Sequence, residues 1–197
     1  MVLDVAALRE RLKRTPSAFS VYGDDDRRES VAAIPTAAAV LMPIVDHPAG
    51  LTVIFTRRTT HLKAHSGQVS FPGGRAEPDD PTPEFTALRE AREEIGLAAD
   101  RVEVLARLPD YHTRTGFRVT PVVGLVTPPL ALVPDPREVE QVFEVPLAYL
   151  LDPANHHRET RELQGRRVGY YVMRHGGHTI WGATAGMLVN LYRHLAE

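Results

Sequence analysis

The chain is expected to fold as one domain that mixes α-helices and β-strands, and three observations carry that expectation. Its 197 residues suit a single domain with a substantial core. A stretch with helical spacing and matched start and stop signals runs from Thr82 to Gly96. On both sides of it lie short runs rich in Val, Ile, Leu and Phe, bounded by turn residues, which read as strands. Composition agrees, with 43% hydrophobic and 24% charged residues.

The same composition excludes several classes. A net charge of −2 provides no basic field for nucleic acid. The absence of cysteine removes disulfides, thiolate metal sites and cysteine nucleophiles, and suits a cytoplasmic location. No apolar run is long enough to span a membrane, and the N-terminus lacks the basic-then-apolar layout of a signal peptide. No linker, repeat or low-complexity tract divides residues 1–197.

Taken in order, residues 2–14 space Val2, Val5, Leu8 and Leu12 at helical steps, which predicts an amphipathic helix packed on the domain. Residues 15–35 read as a loop, in which Asp24 to Asp26 lack the spacing of a calcium loop. Residues 36–45 predict a buried strand, 46–50 a turn, and 51–58 the returning strand. Arg57 and Arg58 close that strand, where two cations suit an anionic ligand. His61 and His65 stand four apart, but Ser66-Gly67 argues for a loop rather than a zinc-binding helix. Residues 68–74 then carry a short strand into Gly73-Gly74, where the backbone can approach a ligand or metal closely.

Thr82 is a good N-cap, Pro83 suits the first helical position, and Gly96 suits the residue past the end. At about 100° per residue, Glu90, Glu93 and Glu94 share one arc, with Phe85, Leu88, Ala91 and Ile95 on the other side. Such an arc is either a solvated acidic face or a cluster of oxygen ligands for a hard divalent cation. No lysine is interleaved to relieve the repulsion.

Strand signals return at 102–106 and 117–126, flanking the polar loop from Tyr111 to Gly116, which reads as substrate-contacting or simply exposed. Residues 147–151 suit a short helix. A hairpin across Gly165 joins 158–164 to 167–174, a second turn follows at Gly176-Gly177, and a closing helix runs from about 182 to 195.

At Gly74 and at Arg89 to Leu97 the sequence resembles the Nudix box. The family pattern is a glycine, five residues, a glutamate, seven residues, then Arg-Glu-apolar-x-Glu-Glu-x-Gly-apolar. Here Arg89-Glu90-Ala91-Arg92-Glu93-Glu94-Ile95-Gly96-Leu97 matches the closing run. Asp80 stands in place of the first glutamate, and one extra residue separates it from Arg89. Both departures resemble the coenzyme A diphosphatase branch. That branch also carries an upstream motif, which here reads Ile54-Phe55-Thr56-Arg57-Arg58-Thr59, then Lys63, Gly67, Val69, Phe71, Pro72, Gly73 and Gly74. Thr59 replaces a serine and Lys63 an arginine, and the lysine lacks the arginine's bidentate fork. Ile180-Trp181-Gly182-Ala183-Thr184-Ala185 resembles the branch's C-terminal phrase.

The resemblance implies an α/β fold, a Nudix-type α/β/α sandwich with a mixed β-sheet. It implies Mg²⁺, or Mn²⁺ in its place, held by Glu90 and Glu94 with Glu93 as a further candidate, and hydrolysis of the diphosphate of coenzyme A or a derivative. Glu138, then Glu140, are the candidate general bases, with Glu93 as a further catalytic candidate. Arg57, Arg58, Lys63, Gly73, Gly74 and Tyr111 are expected to contact substrate, while Arg89 and Asp80 are expected to be structural. The competing expectations are a Nudix hydrolase of another nucleoside diphosphate such as ADP-ribose, and a nucleotide-binding Nudix module that does not cut. The partner is expected to be a small nucleotide, with neither nucleic acid nor membrane, in a monomer or a homodimer.

Overall fold

The computed structural model describes residues 3–14, 35–60, 67–163 and 165–196. In chain order these form helix α1 (Val5–Leu12), strands β1 (Thr36–His47), β2 (Gly50–Arg58), β3 (Val69–Ser70) and β4 (Gly73–Arg75), and helix α2 (Pro83–Ile95). Strands β5 (Val102–Arg107), β6 (Tyr111–His112), β7 (Phe117–Val126) and β8 (Val139–Pro146) follow, then the short helix α3 (Leu147–Leu150). Strands β9 (His157–Leu163), β10 (Arg166–His175) and β11 (His178–Trp181) and helix α4 (Ala183–Ala196) complete the chain. Val2, Asp24 to Arg28, His61, Lys63 and His65 lie outside the described residues.

The large sheet runs β3-β2-β1-β7-β5, with β4 pairing to β1, β6 to β7 and β8 to β2. It is mixed: β1 and β7 are parallel, from Thr36 opposite Phe117 to Val45 opposite Val126, and the other pairings are antiparallel. A parallel pair needs a long crossover, and α2 lies within it, between β1 and β7 in sequence. Strands β9, β10 and β11 form a second, antiparallel sheet.

Period-two alternation on the central strands sorts the core into two layers. Ala39, Leu41 and Val45 of β1, Ile54 of β2, and Val122 and Val126 of β7 pack with Ala87, Ala91 and Ile95 of α2. Their neighbours Met42, Ile44, Phe55 and Val123 face the other way, into a larger cluster with Leu8 of α1 and Leu188 and Leu191 of α4. The architecture is therefore the expected α/β/α arrangement, a mixed sheet with helices on both faces.

One local expectation needs correction, and one strand goes beyond what the sequence predicts. The spacing predicts Phe85 on the buried side of α2, yet it is 49% exposed, and the stripe that packs on the sheet is Thr86, Ala87, Ala91, Glu94 and Ile95. The helix is rotated so that Glu94 enters the protein. Residues 139–146 form a full strand that the sequence pattern hides. Arg57 pairs with Gln141 and Arg58 with Val139, so Glu140 is a bulged extra residue. The bulge shifts the alternation: Phe143 and Val145 join one core layer, Val142 and Val139 the other.

Candidate active site

Helix α2 begins and ends as its sequence requires. The Thr82 hydroxyl accepts the Phe85 N–H at 3.2 Å, Pro83 occupies the first turn, and Gly96 takes a left-handed conformation at φ 69°. These caps set which residues of α2 face strand β4 one turn before its C-terminus.

Glu90 and Glu94 both point toward the Gly73-Gly74 turn. A Cβ on Gly74 would lie 2.5 Å from Glu90 Oε1, so the glutamate occupies the space that any other side chain would take. Gly73 serves a different end, because a Cβ there would meet the Ala39 carbonyl oxygen at 2.5 Å and the Val40 Cα at 2.6 Å. Its missing side chain lets β4 lie against β1. The Gly73 N–H donates to Glu94 Oε2 at 3.3 Å, and Arg58 donates to Glu94 Oε1 at 3.3 Å.

Burial governs the electrostatics of this pair. The Glu94 side chain is 4% exposed, and desolvation pushes its pKa up to about 7 against the pull of Arg58 and Gly73. Desolvation also raises Glu90, despite the Arg89 guanidinium at 2.9 Å. The charges of Glu90 and Glu138 push Glu94 further in the same direction. Two desolvated, mutually repelling carboxylates beside a side-chain-free backbone fit a hard divalent cation, which would relieve both penalties at once. Among the described residues no three Asp, Glu, His or Cys side chains converge into a ready-made cage. Mg²⁺ is compatible with that, since it uses one or two carboxylates together with waters and substrate phosphates.

Glu93 is not brought into this pair. Its side chain is 59% exposed and turns to Arg89, at 3.0 Å. Arg89 is the hub beneath the carboxylates: it donates to Glu90 and Glu93, to the Arg75 carbonyl at 3.0 Å, and through Nε and a terminal nitrogen to both oxygens of Asp80 at 3.2 and 2.9 Å. Asp80 also accepts the Glu77 N–H and the Thr86 hydroxyl, each at 2.9 Å. The Arg89 hydrogen bond is the largest of the effects holding its carboxyl well below the ordinary range. Asp80 thus points to Arg89 rather than to the glutamate pair.

Strand alternation separates the two arginines of β2. Arg58 emerges on the α2 side and bridges Glu94 and Glu138, each at 3.3 Å. Arg57 emerges on the other side, where its Nε lies 3.2 Å from Glu140 Oε2, close enough for an ion pair but misaligned for a hydrogen bond. Glu138 therefore joins the carboxylate site and Glu140 does not, although only one residue separates them. The bulge at Glu140 is the reason.

A cavity of about 680 Å³ adjoins this corner and is bounded there by Arg58, Gly73 and Gly74. Its floor is the face of β1 and β7 that carries Ala38, Val40 and Val119. Tyr111, expected to touch substrate, is instead 1% exposed within the core, its hydroxyl against Gly186. The next turn of the same loop, Thr113 to Thr115, lines the cavity in its place. Sequence reasoning did not reach Arg161, Tyr170 and Trp181, which form a further wall. The signal available was the phrase around Trp181, the chain's single tryptophan.

A family model of the NUDIX domain matches residues 35–166. An uncharacterized Nudix hydrolase NudL of Photorhabdus laumondii is 42% identical over 154 residues, spanning 78% of this chain and 82% of the relative. A protein of the same description in Yersinia pestis is 41% identical over 160 residues, spanning 81% and 78%. Among solved structures, a MutT/nudix family protein from Enterococcus faecalis matches with a TM-score of 0.51 over 98% of this chain and 74% of that one, at 15% identity, a likeness of fold alone. With the domain match covering most of the chain and relatives above 40% identity over most of their length, the chain belongs to the Nudix hydrolase family.

Proposed function

We propose that this protein is a divalent-metal-dependent diphosphatase that cleaves coenzyme A or its derivatives into 3′,5′-ADP and 4′-phosphopantetheine, in its acyl form where the substrate is acylated. The observation that carries the reaction class is the desolvated Glu90–Glu94 pair seated against Gly73-Gly74 at the edge of the cavity. The preference for coenzyme A rests on the motif from Ile54 to Gly74, which includes Arg58 and both glycines.

Glu90 and Glu94 would hold the divalent ion, which when bound would neutralise diphosphate charge and lower the pKa of a bound water. The chain's own groups do the rest. Arg58, at the cavity edge, binds a phosphate oxygen and sets the diphosphate beside the carboxylates. Glu138, paired with Arg58 and half exposed, takes the proton of the attacking water. As the new P–O bond forms, the bond to the bridging oxygen breaks, and that oxygen leaves with the other phosphate. Arg89, neutralised by Asp80 and braced on the Arg75 carbonyl, keeps Glu90 in register without touching substrate.

The test is a chromatographic product assay with coenzyme A, ADP-ribose and a dinucleoside polyphosphate, each with Mg²⁺ and with EDTA. The expected result is metal-dependent release of 3′,5′-ADP from coenzyme A. Cleavage of ADP-ribose instead would keep the carboxylate chemistry and discard the reading of residues 54–74. Nucleotide binding without product over hours would make the protein a binding module.

A further inference from the structure

The family match ends at residue 166, but the cavity does not. Its wall continues through Tyr170 of β10, Trp181 of β11, and Thr184 and Met187 of α4. The region beyond the shared domain is joined to the site through α4, where the buried Thr184 hydroxyl donates to the Val69 carbonyl of β3 at 3.1 Å. Tyr170 and Trp181 meet edge to face, with ring centroids 5.7 Å apart and an interplanar angle of 65°. The Arg161 guanidinium lies over both rings, 5.6 Å from the Tyr170 centroid and 5.3 Å from that of Trp181. All three residues border the cavity.

We propose that this wall is the base-binding part of the site: a purine base of a nucleoside diphosphate substrate stacks on the cluster that Arg161 forms with Tyr170 and Trp181. The inference rests on the diphosphatase reading for the identity of the substrate, but not for the chemistry of the wall. A flat, electron-rich ring system matches an aromatic pair and a planar guanidinium by stacking and cation–π attraction. An extended chain such as pantetheine matches these less well, since its small amide planes present far less flat surface than a purine. The tyrosine hydroxyl is held by Glu159 at 3.3 Å, which fixes the ring that braces Trp181. The arrangement makes the C-terminal sheet the specificity element, while the shared domain supplies the carboxylates.

Trp181 is the only tryptophan, so intrinsic fluorescence excited at the red edge of indole absorption reports on this wall alone. Wild-type protein in EDTA, where no hydrolysis proceeds, is titrated with 3′,5′-ADP and separately with 4′-phosphopantetheine. The expected result is saturable quenching by 3′,5′-ADP and none by 4′-phosphopantetheine. Arg161→Ala, at an exposed position, is expected to weaken that binding several-fold. Trp181→Leu is expected to raise KM for coenzyme A roughly ten-fold with kcat little changed, the worth of one stacked base. No quenching by 3′,5′-ADP in a protein that cleaves coenzyme A overturns the base wall and leaves the diphosphatase reading intact. Saturable quenching in a protein that cleaves no coenzyme A keeps the wall and overturns that reading. If Trp181→Leu fails to fold, the wild-type titration still decides.

Discussion

The carboxylate corner and the C-terminal wall border the same cavity, but they are held in different ways. At the corner every charged group has a fixed partner: Asp80 clamps Arg89, Arg89 braces Glu90, and Arg58 bridges Glu94 and Glu138. Caps at both ends of α2 and two side-chain-free residues of β4 leave these groups little room to move. The wall is built from ring faces, ring edges and an exposed guanidinium, contacts that tolerate small displacements. The difference matches the tasks proposed for them. Cleaving a diphosphate demands oxygen ligands placed within fractions of an ångström, and burial there is tolerated at a cost in stability. Recognising the flat part of a substrate needs surface and polarity, which stacking supplies without rigid geometry.

The sharpest way to test this contrast is Glu94→Gln, for which a loss of kcat of roughly 10³-fold is expected, in line with the several kcal/mol a metal ion contributes to such a transition state. The fold should survive. The pH dependence gives an independent readout. In the metal-free protein, burial raises the Glu94 pKa from 4.5 to about 7, so between those values the folded state holds a proton that the unfolded state has lost. Stability is therefore fully present below about pH 4.5 and is lost as pH rises through about 7. Melting in EDTA should show Tm falling across that window, and Glu94→Gln should flatten the fall. Mg²⁺ should raise Tm more at pH 8 than at pH 6, because its ligand must first lose that proton. An unchanged pH slope in the variant would remove Glu94 as the desolvated group.

Next in size is the comparison of two neighbouring glutamates. Glu138→Gln should lower kcat roughly 10²-fold, the usual share of a general base. Glu140→Gln should leave kcat within about two-fold, since its partner is Arg57 on the far side of β2. Equal losses would mean that the bulge does not separate them. The glycines give a third contrast, between fold and site. Gly73→Ala should lower Tm by several degrees, because the two nearest atoms its Cβ meets are backbone and cannot yield. Gly74→Ala meets first the Glu90 carboxylate, which can swing aside, so it should cut kcat roughly ten-fold or more while Tm changes little.

The legibility of the chain followed the same division. Helix α2 was readable to the residue because capping is local chemistry: Thr82 and Gly96 satisfy backbone groups within one turn, and Pro83 has no N–H to leave unpaired. Strands β1, β2 and β7 were readable because both of their faces are buried, which leaves long apolar runs. The facing of α2 differs at Phe85 because hydrophobicity alone ranks a phenylalanine inward, whereas Glu94 is buried and Phe85 exposed. Strand β8 was hidden because its bulge breaks the period of two on which strand reading depends. Arg58, Gly73 and Gly74 were singled out by position in a motif, and the structure brings them together. Tyr111 was drawn from the right loop but the wrong turn of it, since alternation that buries one residue exposes its neighbours. Arg161, Tyr170 and Trp181 come together only when β9, β10 and β11 pair, a long-range event with no local signature.

The smallest expected effect concerns the two arginines of β2, which sequence treats as a pair. Arg58→Ala removes the cation between Glu94 and Glu138 and a wall of the cavity, so KM for the diphosphate substrate should rise roughly ten-fold or more. Arg57→Ala removes a half-exposed ion pair with Glu140, of a kind worth at most about 1 kcal/mol. Its kinetics should stay within about two-fold, and Tm should fall by no more than roughly 4 °C. The comparison is internal, because both substitutions delete the same charge from the same strand, one residue apart. Net charge, electrostatic steering of an anionic substrate and strand propensity change equally in the two variants. Whatever difference remains measures which face of β2 looks onto the carboxylates. Similar kinetic losses in both would mean that the pair acts as a diffuse anion-attracting patch, and would move Arg58 out of direct contact with the diphosphate.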